Sequence, residues 1–66
     1  MEIKVNGEWR EFPDDSTVSA VLDALGAERR GVAVAVNGEV VRRGEWEEAV
    51  VPKGASLEVL TAVQGG

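Results

Sequence analysis

Apolar and polar side chains alternate from Met1 to Val5, and the alternation resumes over Glu8 to Phe12 after the dipeptide Asn6-Gly7. Alternation places one set of side chains on each face of a strand, and Asn-Gly accepts the positive φ angles of a two-residue type I′ turn. The N-terminus is therefore expected to be a β-hairpin. Pro13 ends it, because proline cannot donate to a strand ladder. Asp14-Asp15-Ser16-Thr17 then supplies helix-capping side chains, with Ser16 or Thr17 as the expected cap.

Val18, Val21, Leu22 and Leu25 follow at i, i+3, i+4 and i+7, one apolar stripe on a helix of two to three turns that Gly26 is placed to end. Acids before it (Asp14, Asp15) and bases after it (Arg29, Arg30) match the helix macrodipole. A second β segment, 31–36, leads into Asn37-Gly38, and Glu39 to Val41 is expected to pair back as a short strand. The words Val5-Asn6-Gly7-Glu8 and Val36-Asn37-Gly38-Glu39 are identical, but their surroundings do not repeat, so turn chemistry accounts for the match. Between Arg42 and Val51 the pattern is weakest; Glu45-Trp46-Glu47-Glu48 suits one helical or 3₁₀ turn that tucks Trp46 onto the sheet with the acids outward. Pro52-Lys53-Gly54 marks a turn. From Leu57 to Val63 a last strand puts Leu57, Val59, Thr61 and Val63 on one face and Glu58, Leu60 and Ala62 on the other.

One amphipathic helix and one mixed sheet of four to five strands predict a two-layer α+β domain. If the first and last strands lie parallel at the centre, with the helix as crossover, the arrangement is a ubiquitin-like β-grasp. Its expected extent is residues 1–63, with 64–66 a flexible tail. Trp9 is expected to pack across the strands of the first hairpin.

The 66 residues contain no cysteine and no histidine, so disulfides, thiolate nucleophiles, Ser-His-Asp triads and His- or Cys-built metal sites are excluded by inventory. Twelve acidic and seven basic side chains give a net charge of −5, which repels phosphate backbones and anionic lipid surfaces. Neither nucleic acid nor membrane is an expected partner. With no signal or transit pattern over Met1-Glu2-Ile3-Lys4, the expected compartment is the cytoplasm. Asp14/Asp15 and Glu45/Glu47/Glu48 read as solvated charge, and a paired-carboxylate hydrolase needs a cleft that a chain this small is not expected to build. The glycines at 7, 26, 31, 38, 44 and 54 fall at turns or element ends without phosphate-loop spacing.

Gly65-Gly66 stands apart: it sets the final carboxyl on two residues without side chains, directly after a strand. Lacking Cβ atoms, such a segment can enter a narrow channel that a branched chain would block. A carboxylate is a poor electrophile, so attack on it requires prior adenylation, after which a sulfur nucleophile can displace AMP. The resulting thiocarboxylate is a soft nucleophile suited to delivering sulfur.

The stretch Asn37-Gly38-Glu39-Val40-Val41-Arg42-Arg43-Gly44-Glu45-Trp46, the Leu57-Glu58-Val59-Leu60 strand and Ala62-Val63-Gln64-Gly65-Gly66 resemble the ThiS sulfur carriers of thiamine biosynthesis. The resemblance extends to the N-terminal hairpin and the Thr17-Val18 helix start. Gln64 stands where an apolar or small residue is also common and Arg42 where proline often occurs, differences that bear on partner preference. The resemblance implies a non-enzymatic carrier. Gly66 would be the site of adenylation and thiocarboxylate formation, with Gly65 and Gln64 threading behind it and Leu60, Glu58 and Ala62 docking the partner. It further implies a ThiF-type adenylating enzyme using ATP and Mg²⁺, a cysteine-derived persulfide as sulfur donor, and thiazole synthase as consumer. Related alternatives are carriers for molybdopterin, tRNA thiolation or a secondary metabolite, a ubiquitin-like modifier joined to lysine, and a plain interaction module.

Overall fold

The computed structural model describes residues 1–61. Five strands and one helix follow in the order β1 (Glu2–Val5), β2 (Glu8–Glu11), α1 (Val18–Leu25), β3 (Val32–Val36), β4 (Glu39–Val41) and β5 (Ser56–Thr61), with a 3₁₀ turn at Arg43–Glu45. The strands form one sheet in the order β2-β1-β5-β3-β4. β1 and β5 run parallel at its centre, with Lys4 opposite Ser56 and Val5 opposite Leu57, and every other pairing is antiparallel. This is the expected β-grasp.

Both hairpins turn on Asn-Gly: φ is +49° and +87° at Asn6-Gly7 and +50° and +85° at Asn37-Gly38, the left-handed pair that matches the twist of the flanking strands. Thr17 is the helix cap, its Oγ1 accepting from the Ala20 N–H at 3.1 Å. The Ser16 hydroxyl instead donates to the Pro13 carbonyl at 2.6 Å. Gly26, at φ +71°, ends the helix in the left-handed region.

The helix stripe meets the inward set of the sheet in a core of Ile3, Val5, Phe12, Val18, Val21, Leu22, Val34, Trp46, Val51, Ala55 and Leu57. Trp46 follows the 3₁₀ turn, its N–H closing onto the Arg43 carbonyl at 3.1 Å, and the turn expected over residues 45–48 continues from it, the Glu48 and Ala49 N–H groups donating to the Glu45 carbonyl at 3.0 and 2.9 Å. Its indole Nε1–H donates to the Val41 carbonyl at 2.9 Å, so the ring is anchored to β4 while Glu45, Glu47 and Glu48 face water.

The helix-dipole reading of the flanking charges is not what the structure shows, since no acid occupies the first turn of α1 and no base the last. Asp14 pairs with the N-terminal ammonium at 3.2 Å and with Lys53 at 3.7 Å. Its carboxyl is held below the ordinary aspartate value, first by the hydrogen bond from that ammonium and then by the Lys53 charge. The turn at Gly26 sends the chain back along the helix, so Arg29 donates to the Ser19 carbonyl and hydroxyl and to Asp23. Among the described residues no helix is long and apolar enough to cross a membrane.

Candidate functional site

Alternation along β5 turns Leu57 and Val59 toward the helix and Ser56, Glu58 and Leu60 toward the open face of the sheet. Of the residues expected to dock a partner, Glu58 and Leu60 are exposed there, Leu60 at 62%. Ala62, Gln64, Gly65 and Gly66 lie outside the described residues, as does Val63. The register sets Leu60 opposite Ala33 and Glu58 opposite Ala35, and across β3 it sets Ala35 opposite Val40. Two small side chains thus separate two large exposed ones, Leu60 and Val40, the latter 77% exposed. This makes a shallow apolar saddle at the open face.

Val40 was not singled out from the sequence. The available signal was the three-residue length of β4: with Val41 turned inward, alternation leaves Val40 no inward position. Trp9, expected to pack across the first hairpin, stands opposite Lys4, whose ammonium lies 5.8 Å from the centre of its ring, and is itself 56% exposed.

Two asparagines hold the central strand. The Val59 N–H donates to the Asn6 carboxamide oxygen at 2.9 Å, and the Asn6 Nδ2 donates to the Val59 carbonyl at 3.2 Å. On the other flank the Ser56 N–H donates to the Asn37 carboxamide oxygen at 2.9 Å, and the Asn37 N–H donates to the Ser56 carbonyl at 2.7 Å. Each Asn-Gly turn therefore does a second job, pairing its own asparagine with β5 where the neighbouring strand has ended or reversed.

An open cleft of about 430 Å³ lies on the helix side, lined by Val5, Glu8, Arg10, Leu25, Ala27 and Thr61, with Asn6 and Val59 completing it. It exists because eight helical residues span only about 12 Å and leave the β2 corner of a five-stranded sheet uncovered. Neither carboxylate group noted in the sequence lines it; its one acid, Glu8, pairs with Arg10 at 3.4 Å. Among the described residues there is no group of three or more potential metal ligands. The saddle on the open face and the cleft on the helix side lie on opposite faces of the sheet, and β5 contributes to both, Leu60 to the first and Val59 and Thr61 to the second.

Residues 3–66 match the ThiS family. The chain is 27% identical over 66 residues to the sulfur carrier protein ThiS of Escherichia coli K12, the match spanning both chains completely. It is 38% identical over 66 residues to a thiazole synthase of Paramagnetospirillum magneticum, of whose length it spans 20%. Among solved structures, the crystal structure of the thiamine biosynthesis protein (ThiS) from Geobacter metallireducens superposes with a TM-score of 0.83 at 32% identity, covering all of both chains. The solution NMR structure of a thiamine biosynthesis protein from the same organism gives a TM-score of 0.76 at 30% identity over all of this chain and 88% of that one.

Proposed function

The chain belongs to the ThiS family, and from that membership we propose that it is the sulfur carrier of thiamine biosynthesis, loaded at the carboxyl of Gly66. The observation that carries the reading is the family match over residues 3–66, which runs through the diglycine. The reaction proceeds in three stages. A ThiF-type enzyme uses Mg-ATP to join AMP to the Gly66 carboxylate, releasing pyrophosphate. The terminal sulfur of a cysteine-derived persulfide displaces AMP, and a thiol then cleaves the S–S bond to leave the thiocarboxylate. Thiazole synthase consumes that sulfur and returns the carboxylate. The relative named thiazole synthase supports this last partner.

The carrier contributes no catalytic group. Its inventory supports this, since neither cysteine nor histidine occurs in the 66 residues. Its part is presentation: Gln64, Gly65 and Gly66 enter the enzyme's channel while Leu60, Glu58 and Ala62 meet the enzyme's surface. Val40 extends that docking face across β3. An ATP-consuming sulfur relay of this kind belongs in the cytoplasm.

Intact mass spectrometry tests the reading. Incubated with a ThiF-type enzyme, Mg-ATP and a persulfide donor, the protein gains the mass difference between sulfur and oxygen at its terminus. Deleting Gly66, or appending one alanine, abolishes the gain while circular dichroism stays unchanged. Thiolation of either variant at the wild-type rate overturns the terminal assignment, and accumulation of lysine conjugates in its place points to a modifier.

A further inference from the structure

Of the seven basic side chains, four are paired with an acid or stacked on a ring. Arg10 pairs with Glu8, Arg29 with Asp23 and Glu47, and Lys53 with Asp14, while Lys4 lies over the Trp9 ring. The other three, Arg30, Arg42 and Arg43, make no ion pair among the described residues, and all three are exposed.

These three share one end of the molecule. The Arg43 guanidinium donates to the Arg29 carbonyl at 2.9 Å, which joins the segment after β4 to the segment before β3. Arg42 is extended and follows Val41, whose partner is Val34, so it stands level with Ala33 and with Leu60 beyond it. Arg30 lies just ahead of Val32, which pairs with Thr61. The three arginines therefore flank the point at which the chain passes from Thr61 into residues 62–66. Glu28 and Glu45 occupy the same segments without pairing with them. The opposite end is acidic: Glu2, Glu11, Asp14, Asp15 and Glu39 gather around the start of β1, the start of α1 and the Asn37-Gly38 turn, against Lys53 and the N-terminal ammonium.

We infer that Arg30 and Arg42, with Arg43 beside them, form a basic collar that steers the carrier tail-first onto an acidic rim around the channel mouth of its activating enzyme. The inference rests on the carrier reading above and adds a partner chemistry to it. On a molecule of net charge −5, three guanidinium groups clustered beside the end of β5 make that patch the face an acidic surface attracts at close range, while the acidic body is turned away from it. A rim confined to a channel mouth meets the collar alone, whereas the extended phosphate backbone of a nucleic acid would also meet the acidic body.

The test compares two variants of equal net charge, Arg30→Gln/Arg42→Gln and Lys53→Glu, the second altered at the far end. Association of each with the ThiF-type enzyme is followed by stopped flow across ionic strength, alongside thiocarboxylate formation by mass. The collar variant associates about fivefold more slowly at low salt, and the difference disappears near about 1 M salt, where screening extends over only about 3 Å. Its kcat is unchanged and its KM rises, whereas Lys53→Glu behaves like wild type.

Equal on-rates and equal salt slopes for the collar variant and wild type would overturn the inference. An equal loss in Lys53→Glu would overturn it too, because net charge alone would then be responsible. Binding of a labelled RNA oligonucleotide that the collar substitutions abolish would reassign the patch. Each of these results leaves thiolation intact, whereas failure of wild type to be thiolated at all defeats the carrier reading itself.

Discussion

Trp46→Phe is the sharpest probe of how the fold holds its irregular half. Trp46 is only 2% exposed and sits in the segment between β4 and β5 that has almost no regular structure of its own. The segment is fixed to α1 through Ser19 N–H to the Trp46 carbonyl and Val18 N–H to the Ala49 carbonyl, both at 2.9 Å. It is fixed to β4 through the indole N–H on the Val41 carbonyl. Phenylalanine keeps an aromatic ring in place but removes that donor, a lost hydrogen bond worth about 0.5–1.5 kcal/mol, with a further term for lost volume. A total near 2 kcal/mol is expected.

Alanine at the same position should cost about 3–5 kcal/mol. A domain of this size has only about 3–10 kcal/mol in all, so Trp46→Ala approaches complete unfolding and Phe is the better variant. The assay is urea unfolding followed by far-UV circular dichroism, reading a lower midpoint at unchanged slope. Trp9→Phe is the control, an exposed substitution worth less than about 0.5 kcal/mol. A Trp46→Phe midpoint no lower than that of Trp9→Phe would refute the reasoning that this ring and its hydrogen bond close the core.

Three further outcomes are expected. Asn6→Gly accepts the turn's positive φ without strain yet loses both carboxamide bonds to β5, so it should destabilise by about 1–2 kcal/mol and speed hydrogen exchange at the Val59 amide; unchanged exchange there would contradict the pairing. Asp14 titrates below its ordinary value in the folded chain. Its contribution is therefore present above the unfolded value of about 4 and is lost as pH falls through the lower folded value. Asp14→Asn should lower the melting temperature near neutral pH and flatten its decline below about pH 4, and parallel wild-type and variant curves would count against the pairing. Leu60→Asp should raise KM for adenylation about tenfold or more without moving the melting temperature by more than a degree or two, as expected for an exposed docking residue. An unchanged KM would remove Leu60 from the docking face.

What the sequence disclosed and what it concealed divide along the range of the interactions. Asn-Gly turns, the spacing of Val18, Val21, Leu22 and Leu25, and the stop at Gly26 are local signals. Together they led to both hairpins, the helix and the parallel placement of β1 beside β5. The carboxamide bonds of Asn6 and Asn37 reach residues 53 and 19 positions away, and nothing local distinguishes such an asparagine from one that serves only its turn. Asp14 and Arg29 mislead for the same reason: neighbouring charges suggested a dipole interaction, while their partners come from the chain terminus, Lys53 and the body of the helix. Exposure of Leu60 followed from alternation once β5 was identified. For Val40 the same alternation was available along β4, and the register adds that it stands across from Ala35.

The grip of the two asparagines on β5 has a mechanical consequence. A partner that draws on the chain beyond Thr61 applies force along β5, at right angles to the hydrogen bonds that tie it to β1 and β3. Under that geometry the bonds are loaded together in shear, whereas a strand peeled from an edge loses them one at a time. The carboxamides of Asn6 and Asn37 add fasteners on opposite flanks of the pulled strand, so traction on the terminus is met by the whole sheet.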